Sequence, residues 1–325
     1  MKILFGPQIA PGAWAIGESL LPRELKIEVI SKDDEKRRIQ QLETADFYMG
    51  FRSGLRPTDY EHMKNVKLVQ LLSAGYDGMD LEKLRMLKIP LANNGGANSY
   101  AVAEHAIMLM LAVSRQLPEM HELVRNGKWK SPKQGEEEEH EIAGKTIGIV
   151  GLGFIGKTLA RRLSGFEVNL LYYDPVRPSA QEEAKLNVRY VELDQLFRES
   201  DIVTLHAPYD KTTYRMVNDR TIGLMKREGI VINCARGELI DEDALYRALK
   251  EGRIWGAGLD TFDPEPPKSG NPLFTLRNIV LTPHGAGPTW ESWPKRFGNS
   301  YANVERVARG EAPLWVVPEL KDLTK

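Results

Sequence analysis

The sequence predicts an α/β protein built from doubly wound parallel sheets. Short apolar stretches typical of buried strands alternate along the chain with charged segments typical of helices. Many of these stretches run directly into polar or turn residues, at the position where open α/β sheets bind ligands. One of them leads into a glycine-rich turn, 151–156, and a helix-like segment. At 325 residues, the chain is long enough for two domains with separate cores.

The first part of the chain predicts a small α/β domain without a phosphate-binding glycine turn of its own. Charged segments such as 32–42 separate its apolar stretches and favour helices. The strands predicted here are 2–5, 27–30, 47–50 and 67–72.

A long helix rich in Ala, Met and Leu, 99–115, is predicted before the alternation resumes. Its Glu104 and His105 fit satisfied structural groups better than catalytic ones, and Met108 and Met110 fit core or subunit-interface packing. The later predicted strands are 146–150, 168–173, 188–191, 202–205, 230–233, 257–260 and 279–281, and the later helices include 243–250 and 294–309.

Composition and charge exclude several classes of function. With 42% hydrophobic and 27% charged residues, the composition is that of a globular protein. A net charge of −1 gives no general attraction to nucleic acid or to an anionic membrane. No apolar run reaches the ~18 residues of a membrane span. The single Cys234 excludes an internal disulfide and fits a reducing compartment, so we expect a soluble cytoplasmic protein.

The turn 151–156 has the pattern of a dinucleotide site. Gly151 permits the tight turn, Gly153 lets the backbone approach a pyrophosphate, and Gly156 allows close packing of helix on strand. The helix N-terminus adds free N–H groups and a positive dipole end. Asp174, at the end of the next strand, can accept hydrogen bonds from an adenosine ribose. The whole order of elements indicates a dinucleotide cofactor more specifically than glycines alone.

Asp174 also favours NAD over NADP. Its carboxylate suits the two ribose hydroxyls and would repel a 2′-phosphate. Nearby Arg177 keeps NADP as an alternative, because an arginine could bind that phosphate.

Three residues that could carry chemistry each lie just past a predicted strand: Arg236, Glu265 and His284. Arg236 offers a planar fork of donors that suits a carboxylate and a neighbouring carbonyl oxygen. His284 can exchange a proton near neutral pH, and Glu265 beside it would fix its tautomer and favour its protonated form. Structural roles are the alternative: arginines at strand ends such as Arg236 often cap helices, and the Pro-Glu-Pro segment around Glu265 is usually a rigid loop.

Two loops of the first domain are candidate anion sites. The segment 73–78 could hold a carboxylate on its backbone amides, although an ordinary glycine turn explains it equally well. Arg52 and Ser53 could touch an anion or a hydroxyl of the substrate, although a lone surface arginine is usually just solvated. The acidic stretch 134–141, which contains His140, fits a solvated charge run better than a metal site, and we predict no metal.

The sequence resembles the D-isomer-specific 2-hydroxyacid dehydrogenase family over nearly its whole length. The resemblance implies an NAD-dependent enzyme with Arg236, Glu265 and His284 as the catalytic residues. The blocks that carry it, in the family's order and at its separations, are 148–156 (GIVGLGFIG), 200–208 (SDIVTLHAP), 233–241 (NCARGELID), 258–266 (GLDTFDPEP) and 282–284 (TPH).

The resemblance also implies ligand contacts. Backbone amides of Ala74, Gly75 and Tyr76 would bind the substrate carboxylate together with Arg236. The cofactor would be bound by Val102, Gly151, Gly153, Phe154, Ile155, Gly156, Asp174, His206, Ala207, Pro208, Thr213, Cys234, Ala235, Arg236, Asp260 and His284.

The family layout implies a Rossmann NAD-binding domain, 100–289, inserted into a smaller flavodoxin-like substrate domain formed by 1–99 and 290–325. In this layout the active site lies in a cleft between the domains, and closure would expel water from it. Family members commonly form homodimers through the segment after the first crossover, and the apolar helix near 105–115 suits that role.

The substrate expected is a small 2-oxo or 2-hydroxy acid, with a glyoxylate or hydroxypyruvate reductase favoured. Glu265 argues against formate, because formate dehydrogenases of this fold typically carry Gln at that position. The alternative function is an NAD(H)-sensing binding protein of the corepressor type, which keeps the same three residues. Trp290 and Trp293 could wall a substrate pocket or pack between the domains.

Overall fold

The structure is a computed structural model that describes residues 1–129 and 139–324. The chain divides into two compact units. Unit 1 consists of Met1–Asn98 and the C-terminal residues from Pro288 onward, and unit 2 consists of Ser99–Gly287. The assignment of substrate binding and cofactor binding to these two parts of the chain stays a prediction.

The described residues of unit 1 form a five-stranded parallel sheet in the order β2-β1-β3-β4-β5. This is the strand order of flavodoxin-like doubly wound folds, as predicted. The elements are β1 (Lys2–Gly6), α1 (Pro11–Ser19), β2 (Lys26–Val29), α2 (Glu35–Thr44), β3 (Phe47–Gly50), β4 (Leu68–Leu71), α3 (Leu81–Met86), β5 (Leu91–Ala92) and the C-terminal helix α11 (Ser292–Ala308).

The described part of unit 2 forms a seven-stranded parallel sheet in the order β12-β11-β10-β9-β6-β7-β8. This is the Rossmann order extended by one strand, so the predicted fold class is confirmed. The elements are α4 (Ser99–Ser114), α5 (Leu117–Arg125), β6 (Thr146–Val150), α6 (Phe154–Leu163), β7 (Asn169–Tyr173), α7 (Ala180–Leu186), β8 (Val188–Tyr190), α8 (Leu193–Glu199), β9 (Ile202–Leu205), α9 (Asp219–Ile222), β10 (Ile230–Asn233), α10 (Glu242–Lys250), β11 (Gly256–Leu259) and β12 (Ile279–Leu281).

The central strands form because most of their residues are apolar and β-branched. Every residue of β9 (IVTL) and β10 (IVIN) is buried, as expected for a parallel sheet that is covered on both faces. Helix starts follow local capping chemistry. The Asp34 side chain accepts a hydrogen bond from Arg37 N at 2.9 Å to cap α2, and Asp241 accepts one from Ala244 N at 3.1 Å to cap α10.

Glycines in β11 let helix α4 approach the sheet of unit 2 closely. A Cβ at Gly258 would lie 3.0 Å from Leu109 Cβ, and a Cβ at Gly256 would lie 2.6 Å from Val113 Cγ1. Met110 of the same helix is fully buried, whereas Met108 lies at the surface. The position of α4 is therefore fixed against the strand that leads into the candidate site.

The sequence patterns did not predict α1 or the two-residue strand β5. Helix α1 starts at Pro11 and contains Gly12 and Gly17, which lower intrinsic helix propensity. It forms because tertiary packing compensates: a Cβ at Gly17 would lie 2.5 Å from the Phe297 ring, so only glycine allows α11 this close. Strand β5 is too short to show a periodic pattern.

Candidate active site

Arg236, Glu265 and His284 follow β10, β11 and β12, which are neighbouring strands in the sheet of unit 2. Because the strands are parallel, their carboxyl ends lie along one edge of the sheet. The loops after β10 and β11 also pack tightly, since a Cβ at Gly237 would lie 2.0 Å from the Phe262 carbonyl carbon. The fold thus gathers the predicted catalytic residues at one edge.

His284 and Glu265 form a direct hydrogen-bonded pair. The His284 Nδ1 and Glu265 Oε2 atoms are 2.7 Å apart, and the other carboxylate oxygen, Oε1, accepts from Phe262 N at 3.1 Å. With Nδ1 bound to the carboxylate, Nε2 is the ring nitrogen left to exchange a proton with a ligand. About half of the His284 side chain is exposed, which leaves it accessible to a small molecule.

The charges of the three residues interact. The hydrogen bond and charge of Glu265 raise the pKa of His284 above its usual value, against the opposing effects of burial and of the positive charge on Arg236. Burial alone would raise the pKa of Glu265, but His284 and the charge of Arg236 hold that pKa below its usual range. The arrangement favours an imidazolium–carboxylate pair beside a guanidinium.

Asn233 shapes the turn that carries Arg236. Its fully buried side chain donates from Nδ2 to Arg236 O at 2.8 Å and accepts from Ala235 N at 3.0 Å. The Arg236 guanidinium itself donates to Ala235 O at 2.6 Å. The arginine therefore stands on a turn braced from both sides, which limits the conformational entropy lost when it binds a ligand.

Replacing Glu265 by Gln should move the alkaline limb of the pH–rate profile for 2-oxo acid reduction to lower pH. A group with a raised pKa stays protonated until the pH passes that pKa, and reduction requires the protonated imidazole. Without the carboxylate, the pKa of His284 falls towards its ordinary value, so the proton is lost earlier. Steady-state rates across pH for both proteins test this, and an unmoved alkaline limb would contradict the assigned pairing.

Asp260 holds the turn that carries His284. Its fully buried carboxylate accepts from Gly285 N at 2.8 Å, Ala286 N at 2.9 Å and Thr282 Oγ1 at 2.6 Å, and its backbone oxygen accepts from His284 N at 2.8 Å. Burial alone would raise the pKa of Asp260, but the nearby His105 side chain and the bonds from Thr282, Ala286 and Gly285 hold that pKa below its usual range. Its contact with the cofactor, implied by the resemblance, stays a prediction.

The glycine turn between β6 and α6 fits a pyrophosphate. Gly151 has φ +94, and a Cβ there would lie 2.7 Å from Ala207 N, so this position requires glycine. A Cβ at Gly156 would lie 2.2 Å from Gly151 O, which explains the close helix–strand packing. A Cβ at Gly153 would meet nothing within 4 Å, so the space above this glycine can accept a ligand. Helix α6 has no side-chain cap at Gly153, which leaves its N-terminus suited to an anion.

Asp174 directly follows β7 and binds the backbone of this turn. Its two oxygens accept from Leu152 N at 2.7 Å and Val176 N at 2.8 Å, which fixes the carboxylate, and each oxygen has lone-pair capacity for a further donor. Arg177, the alternative phosphate ligand, pairs with Glu183 Oε1 at 2.9 Å and lies 4.4 Å above the Tyr190 ring. The Arg177 guanidinium is thus engaged by Glu183 and Tyr190.

His206 directly follows β9, and its backbone lies against Gly151 of the glycine turn. Its Nε2 lies 2.9 Å from Thr204 Oγ1, while its buried Nδ1 has no hydrogen-bond partner among the described residues. Burial lowers the pKa of His206 to about 4, so the ring is neutral at physiological pH. A buried nitrogen without a hydrogen-bond partner is unfavourable unless a ligand supplies that partner, so His206 fits the predicted cofactor site.

The remaining predicted cofactor residues surround the same strand ends or precede them in α4. Thr213 Oγ1 donates to Pro208 O at 2.8 Å and so shapes the loop after β9. Burial raises the pKa of the Cys234 thiol, which makes it a packing residue and not a nucleophile. Val102, Ala207 and Cys234 are buried, Ile155, Thr213 and Ala235 are partly buried, and Phe154 and Pro208 are exposed.

In unit 1, the two candidate substrate loops lie against each other. A Cβ at Gly78 would lie 3.0 Å from Arg52 Nη1, so the Arg52 side chain covers the end of the 73–78 loop. A buried ion pair supports this region: Arg38 Nε lies 2.8 Å from Asp59 Oδ1, and Arg38 Nη2 donates to Gly54 O at 2.8 Å. Within the 73–78 loop, Ser73 Oγ donates a hydrogen bond to Gly75 O at 2.8 Å. All the substrate contacts predicted in unit 1 stay predictions: Arg52, Ser53, Ala74, Gly75 and Tyr76.

Several other polar residues have identifiable partners. Glu104 pairs with Arg162 at 2.8 Å on the exposed face of α4, in keeping with a structural role. Trp293 packs within unit 1 against Phe51 and Phe297, and Trp290 lies over Gly12. Most of the acidic stretch 134–141 lies outside the described residues. Sequence reasoning gave no role to Thr282, whose hydroxyl the structure places on Asp260.

No helix in the part of the chain that the structure describes is long and apolar enough to cross a membrane.

Comparison with known proteins identifies the family. The model of the D-isomer specific 2-hydroxyacid dehydrogenase NAD binding domain matches residues 107–286. A glyoxylate reductase of Korarchaeum cryptofilum is 38% identical over 255 residues, which cover 78% of this chain and 76% of that protein. A hydroxypyruvate reductase of Thermotoga maritima is 36% identical over 278 residues, covering 84% and 88%. The NADPH-dependent glyoxylate/hydroxypyruvate reductase of Sinorhizobium meliloti, solved with NADP and malonate, has a TM-score of 0.83 at 26% identity and covers 98% and 97%.

A Rossmann sheet whose strand ends carry an open glycine turn, a histidine–carboxylate pair and an arginine defines an oxidoreductase that uses a nicotinamide cofactor. More specifically, the chain belongs to the D-isomer specific 2-hydroxyacid dehydrogenase family, whose members interconvert 2-hydroxy and 2-oxo acids. The resemblance and the prediction of an enzyme are confirmed, and the corepressor-type alternative finds no support among these relatives.

Proposed function

We propose that this enzyme reduces glyoxylate or hydroxypyruvate to the corresponding 2-hydroxy acid with NADH. The observation that carries the proposal is the 2.7 Å pair of His284 and Glu265, with the charge of Arg236 acting on both. The activities named for the relatives from Korarchaeum cryptofilum and Thermotoga maritima support the substrate class.

In this proposal, the bound nicotinamide supplies the hydride that reaches C2 of the 2-oxo acid. Arg236 binds the substrate carboxylate through its planar fork and polarises the neighbouring carbonyl where negative charge grows. His284 donates its proton to the developing alkoxide, and Glu265 stabilises the imidazolium before the transfer. The amides of the Ala74–Gly75–Tyr76 loop bind the substrate carboxylate as well.

A panel of 2-oxo acids, followed by the loss of NADH absorbance, tests the proposed function. We expect glyoxylate and hydroxypyruvate to be reduced with higher kcat/KM than pyruvate, phosphohydroxypyruvate or bulkier 2-oxo acids. Faster turnover of a bulkier acid would replace the proposed substrates, and no turnover of any of them would reject the proposal.

We further propose that NADH is preferred over NADPH. Asp174 is fixed by two backbone amides at the edge of the glycine turn, and Arg177 is paired with Glu183 and stacked on Tyr190. One structural relative was solved with NADP, so the fold alone does not select NAD, and we expect the choice of cofactor to depend on Asp174 and Arg177.

The kcat/KM with NADH should exceed that with NADPH at least about tenfold, because a carboxylate facing a phosphate is strongly repelled. Asp174→Ser removes this repulsion and should reduce the ratio of kcat/KM with NADH to kcat/KM with NADPH. Asp194→Ser is a matched control, because Asp194 lies in the first turn of α8 and pairs with Arg220 at 2.8 Å. Equal kcat/KM values for the two cofactors in the unchanged enzyme would defeat the role assigned to Asp174.

We also propose a homodimer that uses the outer face of α4 and α5. This face carries several exposed apolar side chains, and Trp129 just beyond it is 85% exposed. An apolar group of this kind usually marks an interaction surface. Its members are Met108, Leu111, Leu117, Val124 and Trp129. Light scattering should give twice the mass of one chain, and a monomer would reject the dimer.

A cytoplasmic location is the remaining part of the proposal. Its support is the single cysteine of the sequence, Cys234, which is buried and unpaired, as in proteins of reducing compartments. Cell fractionation should recover the protein with a cytosolic marker, and recovery with a membrane or secreted fraction would contradict this location.

A further inference from the structure

We propose that His105 and Thr282 are positioning residues that hold the catalytic loop through Asp260, without touching the substrate. The inference rests on the proposed function, because it gives His105 and Thr282 importance through the catalytic role of His284. Sequence reasoning treated His105 as a structural group of α4, and nothing in the resemblance assigned it a role.

The hydrogen bonds between these three side chains run in one direction. Thr282 Oγ1 lies 2.6 Å from Asp260 Oδ1, and because an ionised carboxylate only accepts, the hydroxyl must donate to it. His105 Nε2 lies 2.9 Å from the same hydroxyl oxygen. Since the hydroxyl proton is already used, His105 Nε2 must be the donor in that contact. The imidazole thus donates to the hydroxyl, and the hydroxyl donates to the carboxylate.

His105 also lies close to the carboxylate itself. Its Nε2 is 3.4 Å from Asp260 Oδ1, and only 16% of its side chain is exposed. Asp260 is fully buried, and a buried carboxylate is costly unless donors surround it. His105 and Thr282 therefore supply part of the compensation that keeps Asp260 ionised and in place.

Helix α4 gives this contact a rigid origin. Its residues Ala103, Ala106 and Leu109 are fully buried, and the glycines of β11 allow the helix to seat directly on the sheet. A donor on such a helix is better placed than one on a loop. The position of His105 relative to the end of β12 is thus fixed by packing within unit 2.

Asp260 transmits this constraint to the catalytic residue. Its carboxylate accepts from the amides of Gly285 and Ala286, and its backbone oxygen accepts from the amide of His284. His284 has φ +51, a left-handed conformation that is uncommon for a residue with a side chain. Such a backbone persists only when the surrounding structure holds it, and Asp260 with its donors provides that hold.

Matched pairs of variants separate positioning from mere packing. Thr282→Val replaces the hydroxyl by a methyl group of similar shape, whereas Thr282→Ser keeps the hydroxyl. His105→Leu removes the donor, whereas His105→Gln can place an amide donor near the position of Nε2. Glu104→Gln is the control on α4, because Glu104 is exposed and pairs with Arg162.

We expect Thr282→Val and His105→Leu each to lower kcat about 10- to 100-fold, because a misplacement near 1 Å costs on this order. The kcat should stay within about threefold of the parent value in Thr282→Ser, His105→Gln and Glu104→Gln, because none of these changes removes a donor from the chain of bonds. The double variant of His105→Leu and Thr282→Val should have a kcat no lower than that of the less active single variant, because both changes break the same chain of hydrogen bonds.

Two readouts that do not depend on turnover accompany the kinetics. The dissociation constant of NADH, measured by fluorescence on the whole enzyme, should stay within about threefold of the parent value. The proton on His284 Nδ1 should give a low-field NMR signal in the cofactor-free enzyme, and this signal should broaden or disappear in Thr282→Val and persist in Thr282→Ser. Unchanged kcat in both Thr282→Val and His105→Leu, or equal losses in Thr282→Val and Thr282→Ser, would overturn the inference.

The failure of this inference is distinguishable from failure of the proposed function. If His284→Ala retains full turnover, the catalytic role of His284 is wrong and the inference falls with it. If His284→Ala is inactive while Thr282→Val and His105→Leu are fully active, the proposed function stands and the positioning role alone is rejected.

Discussion

Replacing His284 by Ala should lower kcat for 2-oxo acid reduction by at least ~10²-fold, because general acid–base catalysis typically contributes ~10²–10⁴ in rate. NADH binding should survive, since the glycine turn and Asp174 lie on other strands of unit 2. Stopped-flow and steady-state kinetics measure the first effect, and titration of NADH fluorescence measures the second.

His62→Ala is the matched control for this variant. His62 is a partly exposed histidine of unit 1 that faces Glu43 at 3.4 Å and has no part in the proposed site. It should leave both kcat and NADH binding unchanged. Full turnover in His284→Ala would remove this residue from the mechanism.

Replacing Arg236 by Lys should lower kcat/KM for the 2-oxo acid by roughly 10²-fold. Lysine keeps the positive charge but loses the planar fork, and a lost hydrogen bond to a charged group costs about 1.5–3 kcal/mol. Because the fork is expected to bind both the carboxylate and the polarised carbonyl, KM should rise and kcat should fall together.

Arg253→Lys provides the comparison for the Arg236 variant. Arg253 lies on the surface of the same unit and pairs with Glu251 and Asp219, so its replacement should leave kcat/KM unchanged. A kcat/KM in Arg236→Lys equal to that of the parent would show that charge alone is sufficient and that bidentate binding is not used.

The parts of the fold that could be predicted from the sequence are those fixed by local physical rules. The strands at 146–150, 202–205 and 230–233 are short, mostly apolar runs, and they have these bounds in the structure. The roles of Gly151 and Gly156 followed from the requirements of a tight turn and of close packing, and each Cβ would indeed clash.

The features that the sequence did not predict depend on tertiary contacts. Helix α1 forms because Gly17 accommodates the Phe297 ring, a contact between residues far apart in the chain. The partner of His105 could not be read from its position on an apolar helix, because Thr282 lies 177 residues further along the chain. The donors that surround the buried Asp260 could not be predicted either, because they follow a different strand, β12.

Sequence reasoning brought Arg236, Glu265 and His284 together only through strand-end placement and family resemblance. The structure adds the 2.7 Å contact, the orientation of the ring with Nδ1 on the carboxylate, and the amide of Phe262 on the second oxygen. These features decide which nitrogen can give a proton to a ligand, and no spacing rule could supply them.

We propose above all that this enzyme transfers hydride to one face of C2 of a 2-oxo acid and protonates the resulting alkoxide. Turnover of hydroxypyruvate with NADH deuterated at the transferred position tests it most directly, with the product resolved by chiral chromatography and mass spectrometry. The account predicts D-glycerate that carries one deuterium at C2. Product without deuterium, or the L enantiomer, would contradict the account.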